Sequence, residues 1–138
     1  MTILDTNVLS ALMRQVPDGN VVDWLDQQPR TSVWTTSVTI LEVRFGLQIL
    51  AAGPRPAALT AAFDELLAKM GHRVATFDAA AAEKASDLMA ARHRRGRPGD
   101  LRDTMIAGTA LAQHATLATR NTAHFEDTAI PLLNPWTI

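Results

Sequence analysis

The chain has 138 residues, a length that suits one domain with a real hydrophobic core. Hydrophobic residues make up 47% and charged residues 20%, with a formal net charge of −1, which excludes a disordered chain and gives no bulk basicity that would demand a nucleic acid. There is no cysteine, which excludes a disulfide scaffold, a zinc–thiolate site and a cysteine nucleophile; the four histidines have neither HxxxH nor HExxH spacing. Any metal is therefore expected to be a hard cation held by carboxylates.

In chain order, Thr2–Leu4 reads as a short buried strand ending at Asp5, and Asn7–Arg14 as a helix. Pro17-Asp18-Gly19 is a turn, Val21–Gln28 a second helix, and Pro29 stops it. Ser32–Thr36 is rich in β-formers and reads as the second strand. Ser37 is the expected N-cap of the helix TILEVRFGLQIL, with Gly53-Pro54 beyond its end. Pro56–Met70 is a helix closed by Gly71, and Arg73–Thr76 a strand. Asp78 caps AAAAEKASDLMAARHRR, which ends at Gly96 and Pro98. Asp100–His114 is the last long helix, Ala115–Thr119 a strand, and Ile130–Leu133 the final one.

Strands that are short apolar runs, alternating with helices, predict an α/β fold with a parallel sheet buried on both faces. No repeat, linker or low-complexity tract divides residues 1–138, so a single domain is expected. The N-terminus lacks the basic start and long apolar stretch of a signal peptide, and no run is long enough to span a membrane; a cytoplasmic protein is expected. In open α/β sheets ligands bind at the carboxyl ends of strands, where Asp5 and Thr119 fall.

Three acids stand beside apolar residues. The spacing of Val38, Leu41, Phe45 and Ile49 predicts the buried face of its helix, and Glu42 falls on that face. Asp103 heads the stripe of Ile106, Ala107, Ala110 and Leu111. A carboxylate among core residues is costly unless paired, hydrogen-bonded or bound to a cation. Each acid has a plain structural reading as well: Asp5 as a helix cap, Glu42 as partner of an arginine, Asp103 as compensation of a helix dipole. The residues alone leave these open. Together, three acids at strand ends or first helical turns suggest a Mg²⁺ or Mn²⁺ site that activates water. In LATRNTAHF, Thr119 offers a hydroxyl and Asn121 a neutral amide, or Asn121 caps the next short helix.

The ordered segments ILDTNVLSAL, SVTILEVRFGL, FDAAAAEKASDLMAA, DTMIAGTALA, LATRNTAHFE and PLLNPW resemble the PIN-domain ribonucleases, in particular the VapC-like toxins of toxin–antitoxin pairs and their FitB-like branch. The resemblance spans nearly the whole chain. It implies a three-layer α/β/α sandwich with a central parallel sheet. It also implies that Asp5, Glu42 and Asp103 form an acidic Mg²⁺/Mn²⁺ site, with Asp5 and Asp103 as direct ligands and Glu42 acting through water. The family's fourth acidic position falls on Asn121, and His124 stands where Asp is also frequent, so the acid cluster is thinner here and a second metal is in doubt. Thr119 matches the family's supporting hydroxyl. A homodimer and a cognate VapB-like antitoxin are implied as partners.

The stretch ARHRRGRPGDLRD runs from a helix end into the helix that carries Asp103. Its Arg94, Arg95, Arg97 and Arg102 are candidates to hold RNA phosphates, or else cations that suit a helix C-terminus. Trp24, Trp34 and Trp136 are aromatic rings that could stack on bases, but their spacing matches no nucleic-acid motif, and core or dimer packing is expected for each. Two other acid-site folds fit poorly. A dehalogenase-like phosphatase needs a second acid where Asn7 stands, and a receiver domain needs a lysine at a strand end, whereas Lys69 and Lys84 are in helices. A non-catalytic PIN-like module that binds RNA or protein remains the alternative reading.

Overall fold

The computed structural model describes residues 1–138. Five strands run through it: β1 (Thr2–Leu4), β2 (Val33–Thr36), β3 (Val74–Ala75), β4 (Thr116–Ala118) and β5 (Leu132–Leu133). Six α-helices connect them: α1 (Thr6–Leu12), α2 (Gly19–Asp26), α3 (Ser37–Gln48), α4 (Pro54–Lys69), α5 (Ala79–Arg94) and α6 (Leu101–Gln113). Two 3₁₀ turns, Arg30–Ser32 and Thr122–Phe125, precede β2 and follow β4. The strands form one sheet in the order β3-β2-β1-β4-β5, and every pairing is parallel.

Neighbouring strand residues point to opposite faces, and both faces are covered. Leu4 and Ala118 join Val8, Leu9, Trp24, Phe63 and Leu67 in one cluster, built largely from α1, α2 and α4. Ile3 and Leu117 join Leu88, Ile106, Ala107 and Phe125 in the other, under α5 and α6. This is the α/β/α sandwich expected from strands without polar alternation. The helix pair α5–α6 approaches closely at Gly108, where an added Cβ would lie 2.5 Å from the Ala81 carbonyl oxygen and 2.7 Å from the Ala85 Cβ.

Local chemistry explains most boundaries. Asp18 accepts from the N–H groups of Asn20 and Val21, so α2 starts at Gly19, ahead of the expected Val21. Asp78 caps α5 as its position suggested, and Asp100, expected as the first helical residue, is instead the cap of α6. Pro54 opens α4 at its first turn rather than only closing the helix before it, because proline has no N–H to lose there. The cap of α3 is Thr36, whose hydroxyl accepts from the Thr39 N–H at 3.0 Å. Ser37 lies inside the helix, and its hydroxyl accepts from the Phe77 N–H at 3.0 Å.

The buried face of α3 also differs from the expected one. Val38, Thr39 and Val43 are buried, whereas Leu41, Phe45 and Ile49 are 59%, 54% and 67% exposed. Spacing of three and four residues identifies a common helix face but not which face meets the sheet. Here Val43 faces the core and the Leu41 row lies outside. No helix is long and apolar enough to cross a membrane.

Candidate active site

The chain runs from β1 to β2 and β3 on one side of the sheet, and then crosses to β4 on the other side of β1. The switch point therefore lies between the carboxyl ends of β1 and β4, the crevice where open α/β sheets bind ligands. Asp5 leaves β1 there, and Thr119 leaves β4.

Asp5 is 4% exposed and takes the capping role that its position allowed. It caps α1, accepting from the Thr6 N–H at 2.8 Å through Oδ1. Its Oδ2 accepts from the Thr119 hydroxyl at 2.8 Å and from Asn7 Nδ2 at 3.2 Å. Glu42 arrives from α3 and accepts from the Thr6 hydroxyl at 3.0 Å. Asp103, in the first turn of α6, faces His124, whose Nδ1 lies 3.1 Å from Oδ2. Asn121 follows Thr119 on the loop after β4. Its backbone N–H donates to the Thr119 hydroxyl at 3.0 Å, and its side chain makes no capping bond to the 3₁₀ turn.

Asp5, Glu42, Asp103 and Asn121 line one polar cavity, with Thr6 and Asn7 between them. Burial pushes the Asp5 carboxyl above its usual range. Hydrogen bonds from Thr119 and Thr6 pull it back, and the charge of Asp103 pushes it up again. Burial likewise raises Glu42, opposed by the Thr6 hydroxyl and by Arg102, with smaller upward pushes from Asp5 and Asp103. The acids thus sense one another through the cavity. No three acidic or histidine side chains meet at ligand spacing; Asp103 pairs with His124, and Glu42 accepts from Thr6. In kind, the donors suit a hard divalent cation: all are carboxylate oxygens, and two carry charge that burial disfavours and a cation would favour.

The arginines divide. Arg102 stays beside the acids, its Nε 3.9 Å from Glu42 Oε2. Arg95 and Arg97 line a neighbouring cavity that shares His124 with the site, and Arg95 is 3.2 Å from Asp127. Arg94 is exposed at the end of α5 and lines neither cavity. Arg92, from the same basic run, is 4% exposed and forks onto Asp127, with Nε–Oδ2 at 2.8 Å and Nη2–Oδ1 at 2.9 Å. It also donates to the Thr104 hydroxyl and the His124 carbonyl, each at 2.9 Å. It is a structural tie between α5, α6 and the loop after β4.

Sequence reasoning missed Arg14, Ser10 and Arg120, and it favoured core or dimer packing for Trp136; all four complete the cavity wall. A signal existed for the first two. Asn7, Ser10 and Arg14 are spaced by three and four residues, one helix face that starts at Asp5. Trp24 is core, and Trp34 packs against the α5–α6 side. Trp136 both packs against the first cluster and reaches the cavity.

The comparisons with known proteins agree with this architecture. The PIN domain model matches residues 2–131. The VapC ribonuclease Y4jK of Sinorhizobium fredii is 36% identical over 137 residues, covering 99% of this chain and 98% of that protein. Toxin FitB of Neisseria gonorrhoeae is 31% identical over 137 residues, covering 99% of each. The crystal structure of FitAcB from Neisseria gonorrhoeae superposes with a TM-score of 0.89 at 30% identity, covering 100% of both chains. VapBC-5 from Mycobacterium tuberculosis, a member of the VapBC family of toxin–antitoxin systems, superposes with a TM-score of 0.71 at 25% identity, over 96% of this chain and 97% of that one. The chain belongs to the PIN-domain family. Within it, the kinship is with the VapC and FitB toxins.

Proposed function

We propose that this chain is a metal-dependent ribonuclease, the toxin of a toxin–antitoxin pair, built as one catalytic unit over residues 1–138 and acting in the cytoplasm. The observation that carries the reading is the convergence of Asp5, Glu42 and Asp103 on one polar cavity at the β1–β4 switch point. Asp5 and Asp103 would hold Mg²⁺ or Mn²⁺ directly, and Glu42 through water. When bound, such an ion supplies positive charge against a phosphate and lowers the pKa of water.

The protein's own groups do the rest. Thr119 fixes the Asp5 carboxylate with its hydroxyl and, through the Asn121 N–H, sets the loop that carries Asn121. Asn121 positions a water or a phosphate oxygen. Glu42, its pKa raised by burial, is suited to orient the attacking water and take up its proton. Water attacks phosphorus in line, a P–O bond to the leaving ribose oxygen breaks, and a proton ends on that oxygen. Arg102 stands next to Glu42 to meet a phosphate; Arg95 and Arg97 in the neighbouring cavity, and the exposed Arg94 beyond it, would meet phosphates further along the RNA.

We assign a VapB-like antitoxin and a second copy of the chain as partners. The relatives that are toxins support the first, and the exposed Leu41, Phe45 and Ile49 row supports a protein-binding face. A second reading, a PIN-like module that binds without cleaving, is favoured by one observation: the fourth position of the cavity is the neutral Asn121 in place of an acid. The test is cleavage of a mixed RNA pool by partner-free protein in Mg²⁺, Mn²⁺ or EDTA, with Asp103→Asn alongside. Metal-dependent cutting lost in the variant is the expected result. No cutting by folded wild type in either metal overturns the reading in favour of the binding module.

A further inference from the structure

We infer that Arg120, held over the Trp136 ring, is the platform on which a base of single-stranded RNA stacks at the rim of the acidic cavity. The inference rests on the ribonuclease reading above and names a substrate contact that the basic run does not supply. The Arg120 guanidinium carbon lies 4.9 Å from the Trp136 ring centroid. Both residues line the cavity of Asp5, Glu42 and Asp103.

The pair is anchored at every other point. The Arg120 backbone N–H donates to Asn7 Oδ1 at 3.1 Å, and Asn7 in turn donates to Asp5. The Trp136 backbone N–H donates to Asn134 Oδ1 at 3.0 Å, and its backbone carbonyl accepts from Asn20 Nδ2 at 3.1 Å. Its ring also packs against the hydrophobic cluster that includes Leu4 and Phe63. Trp136 is therefore a rigid backing rather than a free ring. Arg120 is exposed and belongs to no ion pair, unlike Arg44, Arg92, Arg95 and Arg102. Its outer face and N–H edge are open to a ligand.

A guanidinium over an aromatic ring loses freedom but keeps its charge. Such a plane takes an unstacked base on its face and a phosphate on its edge, a combination suited to single-stranded RNA. An acidic peptide would use only the charge. The location adds a second reason. A phosphodiester entering among three carboxylates is repelled by them, so a cation fixed at the rim favours entry before any ion is bound. Arg120 lies between Thr119 and Asn121 in sequence and lines the same cavity, so a nucleotide held there is beside the proposed reacting phosphate.

The experiment measures binding separately from cleavage. Asp103→Asn protein is titrated with short fluorescent single-stranded RNAs that carry one abasic site, moved along the strand, in low salt with EDTA. The same series is run with Arg120→Lys and Trp136→Leu added to that background. The expected result is one position where loss of the base weakens binding by about tenfold. That position dependence vanishes in Arg120→Lys, which keeps the charge without the plane, and weakens in Trp136→Leu. Thermal melting of Arg120→Lys, a surface change, is expected to match its parent. A flat abasic profile, an unchanged profile in Arg120→Lys, or no RNA binding at all overturns the inference. So does an Arg120 effect confined to association with a protein partner. Position-dependent binding by a wild type that cleaves no RNA overturns the nuclease reading and leaves the platform standing.

Discussion

The Thr119 hydroxyl donates to Asp5 Oδ2 at 2.8 Å across 114 residues of sequence. One bond thus ties the ends of β1 and β4 together at the switch point. It also decides how much of the Asp5 charge survives burial, since it is the largest influence holding that carboxyl down.

Thr119→Val keeps the shape and removes the donor. RNA cleavage is expected to fall about 10- to 100-fold, as for other groups that orient a ligand. The sign of the pH effect follows from the bond. Losing a donor to the carboxylate raises the Asp5 pKa, so the acid limb of the pH–rate profile moves to higher pH. Thr119→Ser restores both. A kinetic pH profile of the three proteins checks this.

Asp5→Asn separates stability from activity. A folded pKa above the unfolded one means that the ionised carboxylate opposes folding at neutral pH, and that this cost fades as pH falls through the folded value. Neutralising the residue removes the cost. In EDTA the variant is expected to melt at or above the wild-type temperature, while cleavage and the Mn²⁺-induced rise in melting temperature are both lost. Differential scanning fluorimetry with and without Mn²⁺ measures each part.

Arg92 and Asp127 work with the opposite sign. The fork of Arg92 holds the Asp127 carboxyl below its usual range. Its stabilisation is present above the unfolded carboxylate pKa and is lost as pH falls through the lower folded one. Arg92→Met leaves Asp127 with only the exposed Arg95, takes the guanidinium donor from the Thr104 hydroxyl and the His124 carbonyl, and is expected to cost about 3 kcal/mol in urea unfolding at pH 7. Asp127→Asn is expected to flatten the loss of stability on acidification.

Gly108→Ala tests the α5–α6 contact. The added methyl would meet the Ala81 backbone, which has no side-chain freedom to yield. A loss of about 2 kcal/mol is expected from overpacking. The same change at Gly46, which has nothing within 4 Å of an added Cβ, is expected to be stabilising or neutral, since it sits inside α3. Chemical denaturation of the two variants side by side checks the contrast.

What the sequence determined by itself was the order of elements, the parallel character of the sheet and the acids worth noticing. Those features rest on local physics. Apolar runs without alternation make buried strands, and Asp18, Asp78 and Asp100 satisfy the N–H groups beside them whatever the rest of the fold does. The three acids stood out because each interrupts an apolar neighbourhood, and the structure brings them around one cavity. Periodicity assigns residues to a face but not a face to the core, so Leu41, Phe45 and Ile49 turned out exposed. The basic run read as one unit, but the fold buried Arg92 against Asp127 and set Arg102 beside Glu42. Arg120 and Trp136 lie in separate segments, LATRNTAHFE and PLLNPW, and nothing in the spacing of either joins the two residues. Only the closure of the chain's last residues over the β1–β4 crevice brings them together, because contact across a sheet depends on where distant segments return, not on their own spacing.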